Sequence, residues 1–266
     1  MTLSAPAPAG VTLRSAPVAW LVESEEAPEG CTLHRLQLEH SGSARLTVVA
    51  RRTLCSLADL VPLAGQIADA LVAQAAAQEG KAFSCRQGCS ACCRFLTPVS
   101  AAEAQWLWRQ LAGLPEPRRT ALLRRFILAS RKILNAQPPT SEPATLAELS
   151  RWYRSLDIAC PLLEADACCL YENRPLACRE FNVRSSPGEC LREDGHVVRP
   201  EPAVSVAEGL DEISGELMGA GPILLPLSMA WASEQDAGRG LQMEAGLWVE
   251  RLFQTLRRRA AKRKAG

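Results

Sequence analysis

The segment SCRQGCSACCRF, residues 84–95, places four cysteines within nine positions, and no other stretch constrains the chain as tightly. Cys85, Cys89, Cys92 and Cys93 stand at i, i+4, i+7 and i+8. On an α-helix that spacing puts all four on one face. Eight helical steps rise about 12 Å. Four sulfurs around one zinc ion, each about 2.3 Å from the metal, lie within about 4 Å of one another. A straight helix therefore cannot deliver Cys85 and Cys93 to one ion. Three resolutions are open: a break at Gly88 that lets the chain wrap the metal, division of the ligands between two ions, or a multinuclear cluster. The last two need more thiolates than this stretch supplies.

Further thiols are available downstream. Cys160, Cys168, Cys169, Cys178 and Cys190 lie in CPLLEADACCLYENRPLACREFNVRSSPGEC, so nine of the eleven cysteines fall between positions 85 and 190. Thiolates do not gather unpaired, because their charges repel and desolvation disfavours them. A metal removes both costs, and Arg86, Arg94, Arg174 and Arg179 can offset the negative charge left on a thiolate-bound centre. Simple burial would scatter the cysteines. Disulfide or thiol-exchange chemistry is a second alternative, and metal or iron–sulfur ligation is the leading reading. His34, His40 and His196 stand singly without zinc-finger spacing, and His196 reads as an exposed loop residue.

The remaining composition is unremarkable and limits the alternatives. At 266 residues, 47% apolar and a formal net charge of +1, the chain can bury a sizeable core and carries no global signal for nucleic acid. The basic run RRRAAKRK, 257–264, reads as the solvated end of a helix. The N-terminus lacks the basic start and apolar core of a secretory signal. The longest uncharged stretch, 217–232, is short for a bilayer crossing and is interrupted by Gly and Pro. The expectation is a cytoplasmic protein without a membrane partner, where thiols stay reduced and clustered cysteines mean metal or redox chemistry.

Residues 1–30, rich in Ala, Pro and Glu, are expected to be poorly ordered. Residues 31–80 read as a β-hairpin, with strands either side of Ser-Gly-Ser and alternating Leu36 and Leu38, followed by a helix from Ser56 to about Gln78 on Leu60, Leu63, Ile67 and Leu71. Residues 81–195 form the cysteine-rich domain. Within it Ser100 and Glu103 make a capping box for a helix through Leu111. An amphipathic helix at 117–135 carries Leu122, Leu123, Phe126, Ile127 and Ile133, and Pro138, Pro139 and Pro143 mark a linker before a helix around 144–155. Residues 196–266 form a C-terminal helical extension. One helix falls at 204–218, interruptions at Pro222 and Pro226, and a last helix on Leu241, Trp248, Leu252, Phe253 and Leu256. The aromatic residues at helical spacing read as core. The expected fold class is mainly α with a small β-hairpin element and irregular, metal-stabilised cysteine-rich loops.

Taken together, Cys-x3-Cys-x2-Cys-Cys, then CPLL, then CCLYENRPLACREF resembles the YkgJ family of bacterial cysteine-cluster proteins, zinc- or iron-chelating proteins with eight characteristic cysteines. The resemblance covers roughly 84–192. It implies the ligand set Cys85, Cys89, Cys92, Cys93, Cys160, Cys168, Cys178 and Cys190. Cys169 occupies a position that is not usually cysteine in the family and stands as a spare or alternate ligand. Cys31 and Cys55 are left as buried structural thiols. Tyr171, Glu172, Arg174 and Pro175 belong to the same motif, either supporting the ligands or forming only a turn between ligand segments.

The implied function is metal chelation, with zinc or iron as cofactor and an iron–sulfur cluster as one form of it. All-sulfur ligation excludes Mg²⁺ and Ca²⁺. Two alternatives stand beside it. A similar cysteine motif occurs in flagellin lysine methylases, which would make the chain an iron–sulfur-dependent enzyme, although MGAGP at 218–222 is a poor nucleotide-loop signature and no catalytic residue can be named. A structural zinc site shaping a surface for a protein partner is the other.

Overall fold

The computed structural model describes residues 17–40, 42–78, 80, 82–138, 145–192, 195–235 and 241–265. Among them the chain is mainly helical with small antiparallel sheets, as its patterning predicts. Strand β1 (Ala19–Val22), β2 (Cys31–His40) and β3 (Gly42–Arg51) make one sheet in the order β1-β3-β2. The period-two alternation turns Leu36 and Leu38 to the interior. The register sets them opposite Leu46 and Ala44. Strand β1 departs from expectation: it lies inside the stretch read as poorly ordered, and it pairs with β3 through Ala19 opposite Ala50. Residues 1–16 of that stretch lie outside the described residues.

Strand β4 (Leu54–Cys55) leads to Ser56, whose N–H and hydroxyl both donate to Asp59 Oδ2, at 2.8 and 2.6 Å. This box starts a 3₁₀ turn that runs into α1 (Val61–Gln78). Leu63, Ile67 and Leu71 are buried as their spacing requires, and so are Ala64, Ala68 and Val72 on neighbouring faces. A helix apolar on most sides belongs in the interior. By length and composition Leu57–Gln78 is apolar enough to cross a membrane, but 61% of that window is already buried in protein.

Strand β5 (Pro98–Val99) precedes α2 (Ala101–Ala112), which begins at the Ser100–Glu103 capping box. Next come α3 (Glu116–Leu134) and α4 (Leu146–Ser155). Leu122, Phe126 and Ile133 face the interior, whereas Ile127 is 51% exposed. Pro139 and Pro143 of the linker lie outside the described residues. The cysteine-rich stretch holds β6 (Leu163–Glu164), β7 (Ala167–Cys168), α5 (Leu176–Glu180) and α6 (Pro187–Leu191). Helix α7 (Val206–Met218) stops at Gly219, whose left-handed φ of +64° is the usual helix terminator, so 218–222 is a loop. Strand β8 (Ile223–Leu224) pairs with β5, and α8 (Ser228–Gln235) forms after Pro226 where only an interruption is legible.

Strand β9 (Met243–Glu244) pairs with β4 and opens α9 (Ala245–Ala265). Trp248, Leu252, Phe253 and Leu256 are fully buried, whereas Leu241 precedes the helix and is 54% exposed. The basic tail is the end of α9, and there Arg258 and Arg259 pair with Glu212 of α7. One buried cluster extends from Ala19 to Ala260, so the hairpin, the cysteine-rich stretch and the C-terminal helices share a core.

Candidate metal centre

The four-cysteine segment is not helical. Cys89 N–H donates to the Arg86 carbonyl at 3.0 Å, and Gly88 has φ +87°. That is the left-handed value a type II turn needs at its third residue. Two further turns follow, Cys93 N–H on Ser90 O at 2.9 Å and Phe95 N–H on Cys92 O at 3.0 Å. The segment turns at Gly88 and does not run as a straight helix.

The second cysteine segment is sewn to the first. Ser84 N–H donates to Val183 O at 2.8 Å, Ser84 Oγ to Arg184 O at 2.9 Å, and Cys160 N–H to Cys93 O at 2.7 Å. Val183 N–H reaches Cys85 Sγ at 3.3 Å. Phe95 and Phe181 meet edge-on, with centroids 5.6 Å apart. Cys168 sits on a two-strand hairpin opposite Leu163, which closes through Ala165 and Asp166, both at positive φ.

Helix α5 carries Cys178, and each neighbour of that cysteine has its own attachment. Leu176 N–H donates to Glu103 Oε1 at 2.8 Å, so the second oxygen of the α2 capping carboxylate holds α5. The Arg179 guanidinium is buried, pairs with Asp69 of α1, and donates to the Arg174 and Glu172 carbonyls. It fits because Gly65 of α1 has no side chain: a Cβ there would stand 3.0 Å from Nε. Glu180 accepts from Val206 N–H at 2.6 Å, Ala207 N–H at 3.1 Å and Ser205 Oγ at 2.7 Å, capping α7 from a distance.

Cys85, Cys92, Cys160, Cys168, Cys178 and Cys190 are held towards their neutral form. Burial pushes Cys178 up, followed by the charges of Cys92 and Cys168. Burial also raises Cys160 well above its ordinary value, with Cys178 adding to it. Cys92 is raised by its hydrogen bond with Cys93, by burial and by the Cys93 charge. Cys85, Cys168 and Cys190 are raised, first by burial. Arg174 opposes the shift at Cys85, Cys92, Cys168 and Cys178 together, so its guanidinium faces the centre. It lies over the Tyr171 ring at 4.5 Å and donates to Tyr171 O at 3.0 Å. Thiol exchange relies on a lowered thiol pKa, and these shifts run the other way.

Other candidates stand apart. Cys169, one residue along from Cys168, turns into the core beside Glu164, Arg118 and Arg125, and burial pushes it up to about 12. Cys55 is buried as expected, but Cys31 is only half-buried. His34 bonds Glu250 at 2.7 Å, and His196 is exposed. Arg94 pairs with Asp157 at 2.6 Å instead of facing sulfur, and Arg179 is committed to its clamp. Asp69, Gly65 and Glu180 carry no local signal that would single them out in the sequence. Only the capping box pointed to Glu103, and only for one of its two oxygens.

Among the described residues, no group of three or more Cys, His, Asp or Glu side chains stands close enough to hold a metal ion. The chemistry of the donor set, all sulfur and mostly half-buried, fits zinc or iron and not a hard, oxygen-seeking cation. Comparison with family models, curated proteins and solved structures gave no match.

Proposed function

We propose that this is a cytoplasmic metal-binding protein, as its resemblance to the YkgJ family implies. Cys85, Cys89, Cys92, Cys93, Cys160, Cys168, Cys178 and Cys190 chelate zinc or iron, the latter as an iron–sulfur cluster. The observation that carries the reading is the junction of the two cysteine segments: Cys160 N–H on Cys93 O at 2.7 Å and Val183 N–H on Cys85 Sγ at 3.3 Å. The cost of bringing buried thiols together is removed when a metal replaces their protons. When bound, the metal supplies positive charge that holds the thiolates. Arg174 offsets part of the charge that remains, while Arg179, Glu103 and Glu180 hold α5, and Cys178 with it, in place.

The test is anaerobic purification followed by elemental analysis and an absorption spectrum of the same sample. Bound iron with sulfide, or bound zinc, supports the reading. Replacing Cys92 and Cys93 together by serine is expected to abolish metal retention, and Cys31→Ser to leave it unchanged. Equal metal content in the two variants would refute the assignment.

A further inference from the structure

Helix α3 buries one face through Leu122, Phe126, Ala129 and Ile133. At about 100° per residue, the opposite face is centred on Arg124 and Arg131. Both arginines are exposed, and aliphatic side chains stand exposed on either side of them: Ile127 and Leu134, the latter at 72%, on one flank and Leu128 on the other. The other cations of α3 are engaged within the chain. Arg118 and Arg125 pair with Glu164, Arg119 donates to Ala112 O at 3.2 Å, and Lys132 Nζ donates to Asp157 O at 3.2 Å. Among the described residues, Arg124 and Arg131 make no ion pair and no side-chain hydrogen bond.

The exposed positions follow an order. Thr120, Arg124, Ile127, Arg131 and Leu134 are separated by four, three, four and three residues. That alternation is a coiled-coil seam, with arginine at the a positions and Thr120, Ile127 and Leu134 at the d positions. A straight helix drifts from such a seam by only about 20° per heptad, so the five side chains share one line. A helix laid on this line desolvates both guanidinium groups, and each then needs a counter-charge. A second copy of α3 does not supply one. In a parallel pair Arg faces Arg, and in an antiparallel pair each Arg faces Thr120, Ile127 or Leu134. The chain's net charge of +1 gives no general attraction to acidic surfaces, so the complement is local to this face.

We infer that the outward face of α3 docks a helix of a partner protein, one that sets carboxylates against Arg124 and Arg131 and aliphatic side chains against Ile127 and Leu134. This is an interaction surface beyond metal chelation and does not depend on it.

The probe is a synthetic peptide of about four heptads with Glu at every a position and Leu at every d position, beside a counterpart with Lys at every a position. Each is fluorescently labelled and titrated with the full-length chain by anisotropy. Wild type is expected to bind the Glu peptide and not the Lys peptide. Arg124→Glu combined with Arg131→Glu should weaken the Glu peptide by roughly tenfold or more, because like charges then face each other. The same variant should gain the Lys peptide, which also reports that its α3 is folded. Ile127→Ser combined with Leu134→Ser should weaken the Glu peptide with its circular dichroism unchanged. No saturable binding to wild type, or equal affinity in the double Glu variant, overturns the proposal. A chain that dimerises in sedimentation equilibrium and becomes monomeric with Ile127→Ser and Leu134→Ser assigns the face to a second copy and overturns it too. Binding of wild type to phosphatidylglycerol vesicles but not to the Glu peptide, lost with Arg124→Glu and Arg131→Glu, assigns the face to lipid instead. Metal retention is expected to be the same in all these variants, so the metal-binding reading stands or falls separately.

Discussion

Gly65 and Cys55 show how single residues of the core bear on the cysteine centre and on stability. A Cβ at Gly65 would meet Arg179 Nε at 3.0 Å and Cζ at 3.1 Å, atoms whose partners are Asp69 and two carbonyls of the preceding turn. Gly65→Ala gains about 1 kcal/mol of helix propensity. It also displaces a buried guanidinium from its partners, a loss of about 1–3 kcal/mol or more for a charged group. The expected result is a net loss of stability in urea unfolding together with weaker metal retention, because Arg179 directly follows Cys178. Cys55 is not a ligand in this reading, and burial with the nearby Asp59 pushes its thiol from 9.0 up to about 11. The folded pKa is raised, so the contribution is fully present below pH 9 and is lost as pH rises through about 11. Two units correspond to about 2–3 kcal/mol. Cys55→Ala should flatten the stability profile between pH 9 and 11 relative to wild type. A profile that falls as steeply in the variant would remove Cys55 as a source.

At the level of elements, what is local was legible and what is long-range was not. The β2–β3 hairpin is written in its alternation, and α2 in Ser100 and Glu103, because both signals act within a few residues. The turn at Gly88 rests on a positive φ that sequence spacing does not specify. The attachments of α5 to α1, α2 and α7 join residues far apart in the chain, such as Asp69 and Arg179, and leave no periodic trace. Strand β1 was missed because its four residues become a strand only beside β3, and α8 because Pro226 reads as a stop. The Ala165–Asp166 turn places alanine at φ +44°. A left-handed conformation costs a non-glycine residue about 1–2 kcal/mol, against about 0.5–1 kcal/mol for the extra freedom glycine loses on folding. Ala165→Gly should therefore stabilise the metal-free chain by roughly 0.5–1 kcal/mol in chemical denaturation, and an unchanged or lower midpoint would mean the turn is not strained.

Across the whole molecule, stability is unevenly distributed. The core joins β1–β3, α1, α2, α7 and α9 through large buried side chains such as Trp248, Phe253 and Leu63. The four-cysteine loop contributes no fully buried residue between Ser84 and Phe95 and is held by turns and by a few bonds to 160 and 183–184. Regions with few buried apolar contacts open at lower free energy than the core. Metal removal should therefore act regionally rather than globally. In hydrogen exchange on the chelator-treated chain, the amides of Ser84, Cys89, Cys93 and Cys160 are expected to lose protection, while α1 and α9 keep theirs and helical circular dichroism is retained. Reloading with Zn²⁺ should restore protection at the cysteine segments alone. Collapse of protection throughout α1 and α9 would mean that the metal supports the core itself. Identical exchange with and without metal would mean that backbone hydrogen bonds suffice to hold the two segments together.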